Sequence, residues 1–342
     1  MKEIGSEFWK INETDYNNNL KFLDIGKDYK LVMSGRTAID FVINEIRSNK
    51  KVVYMPDYCC ESMVKPFIDN DYQVIYYNVD LENNKLNVDF NMDCSVFFAI
   101  SYFGYNNPIM DNCINEFSKR NVIIIEDITH RLFCKNNHND NSDYLIASLR
   151  KWFPIYTGGV AINMKTKFNS SIEKYTAATD LIKYKKEAML LKREYMENII
   201  EDKQKFLDLY SQANNLFSEY KNKLMDEESI RILKSINIDK MVQTRRKNVR
   251  VIEENVKNKN ISLIYKLSDN DCPLFVPILL SNRDNIRKKL IEKSIYCPIH
   301  WPNFNNFENK IYDKELSLIC DQRYREKDIN EYTLKLIDSL GE

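Results

Sequence analysis

Two stretches decide the fold: Ile125-Glu126-Asp127-Ile128-Thr129-His130 and Ser148-Leu149-Arg150-Lys151-Trp152-Phe153-Pro154. Each follows a short apolar run, Val122–Glu126 (VIIIE) and Tyr144–Ala147 (YLIA). Runs of this length, bounded by polar residues, read as strands buried on both faces. Working outward, Val52–Met55, Gln73–Tyr77, Ser95–Ile100 and Val160–Asn163 have the same character. Between them Ala38–Arg47, Glu61–Ile68 and Ile109–Lys119 place apolar residues at helical spacing. The alternation predicts an α/β fold, a mostly parallel sheet sandwiched by helices.

The pattern changes after residue 170. Ser171–Tyr220 has neither Pro nor Gly and is rich in Lys, Glu, Leu and Met, so it reads as one or two long bridging helices. Beyond it Lys240–Lys257, Arg283–Lys293 and Glu326–Leu340 read as helices and Leu274–Leu280 as a strand. The expected organisation is a large lobe with its bridge over residues 1–225 and a smaller C-terminal α+β domain over 226–342. A chain of 342 residues suits two lobes.

Fifty basic residues balance fifty acidic ones, and no polybasic run occurs. Nucleic acid and an anionic membrane surface are therefore not expected partners. No apolar stretch reaches the length of a membrane span, and the first residues lack a signal-peptide core, so the expected compartment is the cytoplasm. The eight cysteines contain no C-x-x-C pair. Buried, reduced thiols and no metal are expected.

Ligands of open α/β sheets bind beyond the carboxyl ends of strands, where both opening stretches fall. Ser34-Gly35-Arg36-Thr37 opens a helix, so its free N–H groups suit a phosphate. A buried strand ending in Glu126-Asp127 needs a positive partner, which a protonated ring nitrogen supplies. Lys151, after a strand and among aromatic residues, would be desolvated into a usable nucleophile. Tyr296-Cys297-Pro298-Ile299-His300-Trp301-Pro302 offers aromatic and imidazole groups to a cleft. Singly these read as an N-cap, a capped turn, a solvated basic pair and a hydrophobic corner. In this order and spacing they form the layout that pyridoxal 5′-phosphate requires, binding its phosphate, ring nitrogen and aldehyde in turn.

On these motifs, together with GSEFW (5–9), MPDYCC (55–60), SYFGY (101–105), RRKN (245–248) and LICDQRY (318–324), the chain resembles the DegT/DnrJ/EryC1/StrS family of aminotransferases over nearly its whole length. The resemblance implies the fold-type-I architecture and pyridoxal 5′-phosphate held on Lys151 as a Schiff base. It implies Asp127 on the pyridine nitrogen, His130 near the ring oxygen, and Gly35, Arg36, Thr37 and Ser148 around the phosphate. By spacing Cys60 falls at the ring-stacking position, with Tyr58 and Tyr102 as aromatic alternatives, and His300 is placed on the substrate side. The implied reaction moves an amino group from an amino acid, glutamate by expectation, to a keto acceptor. That acceptor is expected to be a nucleotide-linked keto sugar of polysaccharide or secondary-metabolite biosynthesis. A homodimer is expected, with the bridge helices and the arm around Phe8 and Trp9 as its interface. Two departures stand out: Ser148 precedes Lys151 by three residues where many sugar aminotransferases of the family have five, and the family's Asn-x-Arg-Met segment is not recognisable. Alternatives are another reaction on the same cofactor, of lyase or decarboxylase type, and a degenerate non-catalytic protein.

Overall fold

The computed structural model describes residues 3–10, 16–257, 259 and 261–341. Its centre is an eight-stranded sheet made of β2 (Asp28–Val32), β3 (Val52–Pro56), β4 (Gln73–Asp80), β5 (Lys85–Asn87), β6 (Val96–Ile100), β7 (Ile123–Asp127), β8 (Tyr144–Ala147) and β9 (Gly159–Asn163). The spatial order is β2-β9-β8-β7-β6-β3-β4-β5. Strands β3, β4, β6, β7 and β8 run parallel, while β9 is antiparallel to both β8 and β2. The edge strand β5 is antiparallel to β4.

Strand alternation divides the core. Along β8 and β9, Ile146 and Ala161 join one cluster, whereas Leu145, Ala147, Val160 and Ile162 join the other. The first cluster packs against α1 (Gly35–Glu45), α2 (Glu61–Ile68) and α3 (Pro108–Ser118) through Phe41, Phe67 and Ile114. The second takes Ala188 of α4 (Thr179–Met196), Phe206 of α5 (Gln204–Leu216) and Ile232 of α6 (Glu227–Lys234). The Pro-free stretch is thus two helices that pack on each other, and α6 belongs to the large-lobe core.

A third core holds the C-terminal lobe. Here β10 (Ser262–Leu263), β11 (Val276–Leu279) and β13 (Glu315–Leu318) form an antiparallel sheet. It lies with α7 (Ile238–Val256), α8 (Arg283–Glu292), the short α9 (Ile311–Lys314) and α10 (Glu326–Leu340). The N-terminal β1 (Ile4–Gly5) crosses to this lobe and pairs in parallel with β12 (Ile295–Tyr296). Hydrophobic periodicity did not reveal β2, because Asp28 and Lys30 pair with each other along the solvent-facing sheet edge.

Behind the sheet's carboxyl edge, the fully buried Glu126 is met by Arg131, itself only 1% exposed and also bound to Asp111 at 2.9 Å. Ser142 and the backbone N–H of Asn139 complete the carboxylate's contacts. Removing one partner of a buried pair strands the other. Arg131→Ala is therefore expected to lower unfolding free energy by about 3–5 kcal/mol, read from the urea midpoint; a loss below about 1 kcal/mol, the scale of a surface pair, would contradict this account.

Candidate active site

The carboxyl ends of β7 and β8 and the start of α1 face a cavity of about 310 Å³, whose wall includes Gly35, Cys60, Asp127, Thr129, Lys151 and Trp301. A second cavity of about 450 Å³ adjoins it between the lobes and shares Ser148, Arg150, Lys151 and His300. The two meet at the lysine.

The acidic pair divides by pleat. Glu126 turns to Arg131, as described, and burial still lifts its carboxyl to about 7. Asp127 points the other way, onto the cavity wall, and forms no ion pair among the described residues. The Thr129 N–H donates to it at 2.8 Å. Burial pushes its carboxyl above the usual aspartate range, against that bond.

Thr129 ties the site together. Its N–H orients Asp127, its Oγ1 accepts from the Ser148 N–H at 2.9 Å, and its carbonyl accepts from Trp152 Nε1 at 2.6 Å. The ends of β7 and β8 and the turn carrying Lys151 are thereby held in one geometry. No single feature of the sequence marked Thr129; its signal was a Thr two residues after a strand-ending Asp.

At the other end of the cavity Ser34 caps α1, its Oγ accepting from the Thr37 N–H and lying 3.0 Å from Thr37 Oγ1. The first-turn N–H groups of Gly35 and Arg36 remain without intrahelical partners. A Cβ on Gly35 would lie 3.2 Å from the Ser148 Cβ, so glycine lets the helix start and Ser148 close together. Arg36 and Arg150 line the same end. Arg150 stacks its guanidinium 3.7 Å over the Phe217 ring, yet its buried Nε has no hydrogen-bond partner. Burial lowers Arg150 to about 10. Two guanidiniums, a serine and a helix start make an anion cradle. Sequence spacing had left Arg150 as half of a basic pair.

Lys151 Nζ lies 3.1 Å from His130 Nε2. The tautomer follows from the other ring nitrogen: the Phe103 N–H donates to His130 Nδ1 at 3.0 Å, so the ring proton sits on Nε2. Two donors cannot share a hydrogen bond, so Lys151 accepts, as a neutral amine. Burial lowers both the lysine and, strongly, the imidazole. The group that fixes this tautomer is strained, because Phe103 has φ +58°, a left-handed conformation that bulky residues rarely adopt.

Of the remaining expected residues, Cys60 and His300 line the first cavity and His300 also the second. Tyr58 and Tyr102 do not line either; both are buried in an aromatic cluster behind Trp301, with the Tyr102 hydroxyl bound to the Tyr58 carbonyl. Trp301 takes the aromatic position on the wall, 5.5 Å from Lys151 Nζ. Seven of the eight cysteines are buried, and among the described residues no cluster that would hold a metal occurs. No helix of the described residues is long and apolar enough to cross a membrane.

The neutral lysine can be tested without any ligand. His130→Phe keeps the pocket apolar but removes the N–H, so the pH at which Lys151 becomes reactive to reductive methylation should rise. An unchanged pH profile would show that burial alone sets the amine.

No protein-family model and no curated protein matches the chain in sequence. Solved structures do match in shape. A putative sugar aminotransferase, Spr1654 of Streptococcus pneumoniae, in its PLP form, has a TM-score of 0.67 at 9% identity, covering 98% of each chain. Helicobacter pylori PseC, an aminotransferase involved in the biosynthesis of pseudoaminic acid, has 0.64 at 12% over 98% of each. A DegT DnrJ EryC1 StrS aminotransferase from Brucella abortus has 0.64 at 14%, over 96% of this chain and 92% of the other. The shared property at these identities is the fold: this chain is built as the DegT/DnrJ/EryC1/StrS aminotransferases are.

Proposed function

We propose that the chain is a pyridoxal-phosphate-dependent aminotransferase acting on a keto sugar. The observation that carries this reading is the neutral Lys151 placed between the buried Asp127 and the anion cradle at the start of α1. The buried, partnerless Arg150 Nε and the start of α1 suit a phosphate. Asp127 lacks the cation that a pyridinium would be. Lys151 has the free amine that an aldehyde needs, and Trp301 and Cys60 border the space between.

When bound, the cofactor supplies an electron sink for a carbon that loses its proton. Asp127, held by Thr129, would keep the proton on the ring nitrogen. Ser148, Arg36, Arg150 and the N-terminus of α1 would hold the phosphate. Lys151 Nζ, kept neutral by burial and by the His130 N–H, is the base that takes the α-proton of the amino donor. The second cavity, walled by Glu7, Phe8, Arg245 and Arg323, admits the acceptor from between the lobes. Glutamate is the proposed donor and a nucleotide-linked keto sugar the proposed acceptor; the sugar aminotransferases among the structural neighbours support that class.

Borohydride reduction of the chain with pyridoxal phosphate should attach the phosphopyridoxyl group to Lys151, and Lys151→Ala should take none and lose the visible absorption of the bound cofactor. Uptake unchanged in Lys151→Ala would overturn the assignment. Glutamate should then convert the cofactor to its amine form with release of keto acid, whereas donor consumption without keto acid would indicate lyase or decarboxylase chemistry.

A homodimer is also proposed, through the bridge helices, where Leu190 is 54% and Ile199 67% exposed. The arm is already engaged within its own chain, Arg323 stacking on Phe8 and Trp9. Light scattering at micromolar concentration should give twice the chain mass, and a monomer would contradict the proposal.

A further inference from the structure

In edge-to-face contact with His130 stands a second buried histidine with different wiring. His300 Nδ1 lies 2.8 Å from Ser317 Oγ, and Ser317 Oγ is hydrogen-bonded to Glu315 Oε1. The other carboxylate oxygen accepts the His300 backbone N–H at 2.7 Å. Glu315 and Ser317 alternate along β13, so both point to one face, and both are essentially inaccessible to solvent. His300 itself borders both cavities. The chain Glu315–Ser317–His300 thus runs from a sealed carboxyl group to the cleft.

We propose that His300 is a proton-transfer residue for the keto acceptor, with Glu315 its proton store and Ser317 the link. The proposal rests on the aminotransferase reading given above. Exchanging a carbonyl oxygen for nitrogen forms a C–N bond, breaks a C–O bond and expels water. Both protons of that water originate on the attacking nitrogen, so a group in the cleft must carry one from nitrogen to oxygen. When His300 Nε2 gives its proton to the departing oxygen, Nδ1 takes one from the Ser317 hydroxyl, which takes that of Glu315. When nitrogen releases its proton to Nε2, each transfer reverses. No proton is consumed, and His300 stays neutral at both ends of the cycle.

The surroundings suit a neutral ring that changes tautomer. Phe103 and Phe275 pack on it as apolar walls, His130 is edge-on at 5.4 Å, and Trp301 at 5.3 Å. The ionisable groups nearby are Lys151, held neutral by the His130 N–H, and Arg283, which spends a guanidinium nitrogen on the Glu315 backbone carbonyl. Burial strongly disfavours imidazolium at His300. Burial also raises the Glu315 carboxyl to about 8, opposed by the Ser317, His300 and Arg283 contacts. Below that pH the acid donates along the chain and leaves the proton on Nε2; above it the carboxylate draws the proton to Nδ1 and opens Nε2 as a base.

The chain has three histidines, which makes the ring nitrogens separable by ¹⁵N NMR of the protein without cofactor. His130 serves as the fixed Nε2–H reference. His300 should switch from Nε2–H to Nδ1–H as pH rises through about 8. Glu315→Gln should hold Nε2–H throughout, Ser317→Ala should abolish the switch, and Ser317→Thr should restore it. In the cofactor-loaded enzyme Glu315→Gln should cut kcat roughly tenfold or more, with KM nearly unchanged and borohydride trapping at Lys151 intact. A His300 tautomer that stays fixed while pH crosses the Glu315 titration overturns the relay, even in an active enzyme. Failure to trap the cofactor at Lys151 overturns the functional reading instead, so the two failures are told apart.

Discussion

A carboxylate buried without a counter-ion organises this protein. Asp127 sits at the end of a strand whose other acidic residue is paired with Arg131 and hydrogen-bonded to Ser142 and Asn139. Leaving a charge desolvated is costly, and a fold tolerates it where something else will neutralise it. The neighbouring elements are arranged to present that carboxylate. Thr129 fixes its angle and in the same stroke fixes Ser148 and Trp152, hence the turn bearing Lys151.

The site also keeps its two histidines in different electrical conditions. His130 is pinned by a backbone N–H, a donor that cannot be reversed. His300 is joined to a hydroxyl, which donates or accepts as its neighbour requires. Facing the same lysine, one imidazole is a constant and the other a variable. That difference rests on one element each, the strained turn at Phe103 and the polar face of β13.

Much of this was legible in the sequence because it depends on where strands end. The runs before Glu126 and Ser148 are apolar enough to be buried, and whatever follows them must emerge at the carboxyl edge. What remained hidden depended on distant partners. Glu126 and Asp127 are chemically alike, and only the pleat and Arg131 separate them. Tyr58 reads as a cleft aromatic from its motif, yet packs against Tyr102, Trp301 and Tyr312 in the interior. The Glu315–Ser317 pairing is written in β13 as alternation, but nothing local aims it at a histidine in another segment. The edge strand β2 escaped because its charged pair, Asp28 and Lys30, imitates a loop.

The N-terminal arm has a consequence for the order of assembly. Gly5 donates its N–H to the Tyr324 hydroxyl, Arg323 reaches the carbonyls of Ser6 and Glu7, and the buried Lys192 binds the same carbonyl of Glu7. The Gly5 and Arg323 contacts join residues more than 300 positions apart. Closing so long a loop in an open chain costs on the order of 5 kcal/mol in entropy, so the arm docks efficiently only after both lobes have shortened the path between its partners. Glu7 and Phe8 also wall the second cavity, so that cavity is closed on this side only once the arm has docked.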